Sequence, residues 1–209
     1  MSERQRLRIL FRKGREARFL SHLDLLSTLQ YSLRRAALPL ELSEGFNPRP
    51  RMSLAAPLGV GHIGEREILE ITLRDRVEQA GVRELLQRSV PDGITILEVE
   101  EMPAGRHPAA AELRSARFRI RCGLVPGLEQ RLRDLMSRQT IEIEEDHGGR
   151  IRRRDIRPLI LSASVDGEDL HVELALGSAG GVRPEHVLRA VGIDPPTVLI
   201  TRERLVLNG

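Results

Sequence analysis

The chain has 209 residues, 33 of them basic and 30 acidic, a formal net charge of +3, and a hydrophobic content of 40%. That is the composition of a folded chain of one or two domains. No apolar run approaches the roughly 18 residues of a membrane helix, MSERQRLRIL has no apolar signal core, and the lone Cys122 excludes an internal disulfide framework, a CxxC zinc site and a cysteine-ligated iron–sulfur cluster. The expectation is a cytoplasmic protein with no membrane partner and no cofactor.

In chain order, the first element is a strand over 6–12. Leu7, Ile9 and Phe11 alternate with Arg6, Arg8 and Arg12, the period-2 pattern of a half-buried strand. Ser21 then caps a helix whose third position is Asp24, an acidic variant of the capping box. Leu26, Leu29, Leu33 and Ala36, widened by Leu25, form its apolar stripe, and Pro39 ends it. Strands follow at 52–56 and 67–73, a helix around Val82, Leu85 and Leu86, and a strand at 95–99. The Pro- and Ala-rich segment 103–114 reads as a linker.

The second half repeats the plan. Phe118, Ile120 and Cys122 oppose Arg117, Arg119 and Arg121 on a strand, and Leu128, Leu132, Leu135 and Met136 mark a helix. Strands at 159–165 and 170–176 meet across Asp166-Gly167, a hairpin turn signal. A short helix at Val187, Leu188 and Val191 and a strand over 197–207 close the chain. The order β-α-β-β-α-β therefore occurs twice, predicting an α+β fold of two tandem ferredoxin-like domains, 1–102 and 115–209, joined by 103–114. In such sheets the strand arginines face away from the helices. They either form basic stripes or pair with outward carboxylates such as Glu67, Glu70 and Glu173.

Lys13 is the only lysine, so arginine supplies nearly all the positive charge. Its planar fork suits phosphate and carboxylate. Two segments concentrate it. In Ser43-Glu44-Gly45-Phe46-Asn47-Pro48-Arg49-Pro50-Arg51, glycine permits positive φ and two prolines stiffen the loop, so Asn47, Arg49 and Arg51 are presented in a fixed arrangement. Phe46 either anchors this loop or is exposed. In the second half Arg150, Arg152, Arg153 and Arg154 exceed what Asp155 can neutralise and read as a basic finger, unless the acidic run of Glu142, Glu144, Glu145 and Asp146 pairs with them across a hairpin. His22 opens the first helix, where it either contacts phosphate, moves a proton or is a bland helix-start residue. Aromatics are too few for a surface that stacks many bases. Gly59-Val60-Gly61-His62-Ile63-Gly64 is a loop, since it opens no helix and lacks a Walker lysine.

Arg18-Phe19-Leu20-Ser21-His22-Leu23-Asp24-Leu25, Leu33-Arg34-Arg35-Ala36, the 43–53 segment, Pro57-Leu58-Gly59 and Asp155-Ile156-Arg157-Pro158 together resemble the radical-SAM-associated family catalogued as domain of unknown function 2344. The resemblance implies a chain that accompanies a B12-binding-type radical-SAM protein, without an established activity of its own. This chain lacks the CxxxCxxC cluster motif, so it would be the accessory part. The tandem plan is also similar, at fold level only, to CRISPR RNA-processing endonucleases, which use a helix-associated histidine without metal. The leading expectation is a non-catalytic RNA-binding accessory using His22, Asn47, Arg49, Arg51, Arg150, Arg152, Arg153 and Arg154, acting with a radical-SAM or ribonuclease partner. The alternatives are a protein-only adaptor docking the radical-SAM enzyme, and a metal-independent endoribonuclease in which His22 moves the proton.

Overall fold

The computed structural model describes residues 4–146, 148, 151–177 and 180–208. The fold is α+β, and the chain divides into two compact units, Met1–Leu113 and Arg114–Asn208.

In the first unit β1 (Gln5–Lys13), α1 (His22–Arg35), β2 (Met52–Leu54), β3 (Ile63–Leu73), α2 (Gln79–Ser89) and β4 (Ile94–Glu101) follow one another, and a one-turn helix α3 (Ala109–Glu112) lies within the segment expected as a linker. The sheet runs β4-β1-β3-β2, with Ile71 of β3 opposite both Leu7 and Met52 and every pairing antiparallel. Alternation places Leu7, Ile9 and Phe11 on the helix-covered face. They bury there against Leu25, Leu29 and Leu33 of α1 and Val82 and Leu86 of α2. Each such side chain contributes about 1.5–3 kcal/mol of hydrophobic stabilisation. α1 begins with the expected capping box, Ser21 and Asp24 each satisfying the other's backbone N–H.

The other face of β1 is not an arginine stripe. Arg8 is buried, and its Nε and Nη2 both donate to Glu70 Oε1, at 3.0 and 2.8 Å. The same oxygen accepts from the backbone N–H of Ala109 at 3.0 Å, and Glu112 of α3 stands 3.4 Å from Arg8 Nη2. The 109–112 segment thus covers the ion pair and packs on the first unit.

The second unit contains β5 (Leu113–Arg121), α4 (Leu128–Ser137), β6 (Glu142–Asp146), β7 (Ile151–Asp155), β8 (Ile160–Asp166), β9 (Asp169–Ala175), α5 (Pro184–Ala190) and β10 (Leu199–Leu207). Its sheet order is β10-β5-β9-β8, and β6–β7 is a separate two-stranded hairpin inserted between α4 and β8. Phe118, Ile120, Leu128, Leu132, Leu135, Leu170, Val172 and Leu174 are buried. Here too the strand arginines pair instead of forming a stripe. Arg117 meets its cross-strand partner Glu173 at 2.9 Å, Arg121 meets Asp169 at 3.2 Å, and Arg119 meets Glu203 at 3.1 Å. A hydrogen bond from Ser115, joined by Arg117, holds the Glu173 carboxyl below its usual range.

The Asp155-Ile156-Arg157-Pro158 motif is a clasp at the base of the hairpin. Asp155 Oδ1 accepts from the N–H groups of Ile141 and Arg157 at 2.8 and 2.9 Å. Arg157 in turn donates from Nε and Nη2 to Met136 O at 3.2 and 2.9 Å, satisfying a carbonyl in the last turn of α4 that the helix itself leaves open.

Candidate nucleic-acid interface

The chain leaves α1 through Ala37, whose φ of 52° lies in the left-handed region, and reaches an isolated bridge between Leu40 and Leu73. Glu41 N donates to Thr72 O at 2.8 Å, Thr72 N to Arg51 O at 3.0 Å, and Arg51 N to Glu41 O at 2.8 Å. Both ends of the 42–50 segment are therefore bonded to each other and to β3. Above this base Ser43 N donates to Arg49 O at 2.7 Å, and Arg49 N donates to Ser43 Oγ at 3.0 Å. Gly45, at φ 128°, supplies a backbone conformation open to glycine. The result is a closed loop with Phe46 wholly in solvent at its tip, flanked by exposed Asn47 and Arg49. Among the described residues no carboxylate lies within ion-pairing distance of Arg49.

Beside the loop base lies a cleft of about 560 Å³ whose charged lining is Arg4, Arg6, Arg51 and Arg76 against Glu41 and Glu101. Glu41 is shared, 2.9 Å from Arg4 and 3.6 Å from Arg51, and Glu101 is 2.7 Å from Arg76. Arg6 Nη1 donates to Arg106 O at 2.7 Å. The arginine ends of these pairs are exposed, whereas the carboxylate of Glu41 is buried beneath Arg4 and Arg51. Four cations against two anions leave the cleft positive.

The other residues singled out in the sequence lie elsewhere. His22 is the first residue of α1, and its buried Nδ1 has no hydrogen-bond partner among the described residues. The Phe46 loop follows the opposite end of that helix, about 20 Å away by the helical rise. His22 therefore does not line the cleft. In the second unit, Arg152, Arg153 and Arg154 lie on β7 directly opposite Glu145, Glu144 and Ile143 of β6. Arg153 Nε is 3.1 Å from Glu144, while Arg154 is 4.0 Å from Glu145 and donates to Gly181 O at 2.9 Å. Arg150 lies outside the described residues. Among the described residues, no group of three His, Cys, Asp or Glu side chains is placed to hold a metal ion, and no helix is long and apolar enough to cross a membrane.

Sequence reasoning missed Arg4 and Arg76 as members of the site. They join it from the residue before β1 and from the segment between β3 and α2, and no local pattern announces that convergence.

A protein-family model described as "Uncharacterized protein conserved in bacteria (DUF2344)" matches residues 6–184. A comparison with curated proteins finds no match. Among solved structures, an unknown protein from Galdieria sulphuraria is similar over 98% of this chain and 100% of that chain, at 10% identity and a TM-score of 0.31.

Proposed function

We propose, from the premise that this chain belongs to the bacterial DUF2344 family, that it is a non-catalytic RNA-binding accessory protein built on two ferredoxin-like units and acting in the cytoplasm beside a radical-SAM or ribonuclease partner. The partner class follows from the family resemblance. The RNA reading rests on one observation: a closed loop that holds Phe46 in water next to Arg49, which no carboxylate pairs among the described residues, beside a cleft with four arginines and two glutamates.

A lone exposed aromatic can stack one unpaired base, and the arginines can follow the phosphates leading away from it. A single-stranded segment fits this arrangement better than a duplex, whose bases are already stacked. Arg153 and Arg154 of β7, each with a carboxylate beside it, contribute little to it.

The test is anisotropy of a short labelled oligouridylate titrated with the protein over a range of salt. Affinity should fall with salt at a log–log slope of roughly −3.5, as expected for about five phosphates contacted on a single strand. Phe46→Ala should weaken binding by about 5- to 100-fold, the range for loss of one base stack. A flat salt response, or no binding at low salt, would remove the proposal.

A further inference from the structure

We infer that the cleft beside the Phe46 loop seats a terminal phosphate, so that the protein binds the end of an RNA strand and not its interior. The strand rests on the RNA reading above; the seat rests on the charge and build of the cleft. A phosphate inside a strand carries one negative charge, whereas a terminal monoester carries about 1.5–2 at neutral pH. Arg4, Arg6, Arg51 and Arg76 bring four positive charges to the cleft and Glu41 with Glu101 two negative ones, which leaves two positive. That balance matches the terminal group. Arg106, on the adjoining turn, directs its guanidinium to Glu112 at 3.6 Å instead.

The arginines are positioned by acids that are themselves fixed. Arg4 and Arg51 converge on one oxygen, Glu41 Oε1, and that carboxylate is only 9% exposed, so it has no room to turn away. Glu101 Oε1 stands 2.7 Å from Arg76, while its Oε2 accepts from Gln5 Nε2 at 3.1 Å. Gln5 is buried, and its amide clasps the backbone of Val77, donating to the carbonyl at 3.2 Å and accepting from the N–H at 2.9 Å. Arg6 is anchored by the Arg106 carbonyl. A guanidinium has five N–H donors, and each contact of Arg4, Arg6 and Arg51 engages a single nitrogen, so donors remain to grip phosphate oxygens. Side chains already held lose less entropy on binding.

The walls suit an end. Met102 N donates to Arg6 O at 2.8 Å and Arg106 N to Pro103 O at 3.2 Å, so residues 102–106 turn back beside β1, and Met102, Pro103 and Ala104 form one wall. The other wall is the bonded base of the Phe46 loop, Glu41 and Arg51, with Thr72 between. A volume of about 560 Å³ is that of a site for one small ligand. The interior of a strand needs a way in and a way out past these walls, whereas an end needs only a way in.

The test is calorimetric titration of the full chain with three pentauridylates, bearing a 5′-phosphate, a 3′-phosphate or hydroxyls at both ends, and with uridine monophosphate. One of the two phosphorylated strands should bind about tenfold or more tighter than the hydroxyl-ended strand, the scale of one well-made charged contact, and which one does so identifies the end that is read. Arg51→Gln with Arg76→Gln should bring that ratio close to one, and Arg76→Gln alone should lower it part of the way. Phe46→Ala should weaken all three strands alike and keep the ratio. Equal binding of the three strands, an equal gain from a phosphate at either end, or a ratio that survives the double substitution would overturn the seat and leave the RNA reading standing. Uridine monophosphate bound in an arginine-dependent way, with no strand bound, would support the seat and remove the RNA reading.

Discussion

The ammonium of Lys13 donates to the carbonyl of Leu20 at 2.9 Å from a site closed to solvent. It occupies the fourth position of the row begun by Leu7, Ile9 and Phe11, and Gly64 stands across the ladder from it. A Cβ at Gly64 would come within 2.6 Å of the Glu67 side chain, so glycine is what lets Glu67 lie over this corner. Lys13→Met keeps most of the volume and removes the donor. Each carbonyl left unsatisfied costs about 1–3 kcal/mol. Urea unfolding should show that loss, and hydrogen exchange should show residues 18–22 opening faster. An equally stable Met variant would mean that Lys13 holds nothing in place.

The Arg8–Glu70 pair gives a second prediction. Both side chains are 8% exposed. Glu70→Leu leaves the buried Arg8 guanidinium with only its longer contact to Glu112 and takes the acceptor from Ala109 N–H; it should cost about 3–5 kcal/mol, whereas Arg8→Met with Glu70→Leu should recover part of that, as apolar replacement of buried pairs often does. Chemical denaturation of the two variants checks the difference. Equal losses would show that the pair is replaceable one partner at a time.

Acid should loosen the clasp at Asp155. Two backbone N–H groups, from Ile141 and Arg157, hold this carboxyl below its usual range. A lowered folded-state pKa stabilises the protein above the ordinary carboxylate value of about 4, and the contribution disappears as pH falls through the folded value. Thermal unfolding followed by signals from the second unit should show wild type and Asp155→Asn converging as the pH drops below about 4. A gap that stays constant with pH would assign the effect to shape instead of charge.

The β7 arginines should matter less to RNA than their number suggests. Arg153 and Arg154 face Glu144 and Glu145. Replacing Arg152, Arg153 and Arg154 by glutamine should change oligouridylate affinity less than replacing Arg49 alone, read by the same anisotropy titration. A larger loss would move the interface to the second unit.

The elements that sequence revealed are those set by local chemistry. Ser21 and Asp24 specify a helix start within four residues, and Asp166-Gly167 specifies a hairpin within two. The row of Leu7, Ile9 and Phe11 continues to Lys13 in the structure, but a strand read only as far as Arg12 does not include the lysine. The fate of Arg8 was not legible, because its partner depends on the register of β3 and its cover on α3, a helix lying in sequence that reads as linker. Phe46 was left open between anchor and exposed tip. Its exposure follows from the bonds that close the loop beneath it, between Glu41, Arg51 and Thr72.

The most direct measurement is ultraviolet cross-linking of bound oligouridylate, followed by mass spectrometry of the digested protein. The account predicts a nucleotide adduct on the peptide carrying Phe46, lost in Phe46→Ala and suppressed by high salt. Adducts confined to the β6–β7 hairpin or to residues 18–23, or protein that yields none while RNA is bound, would contradict it.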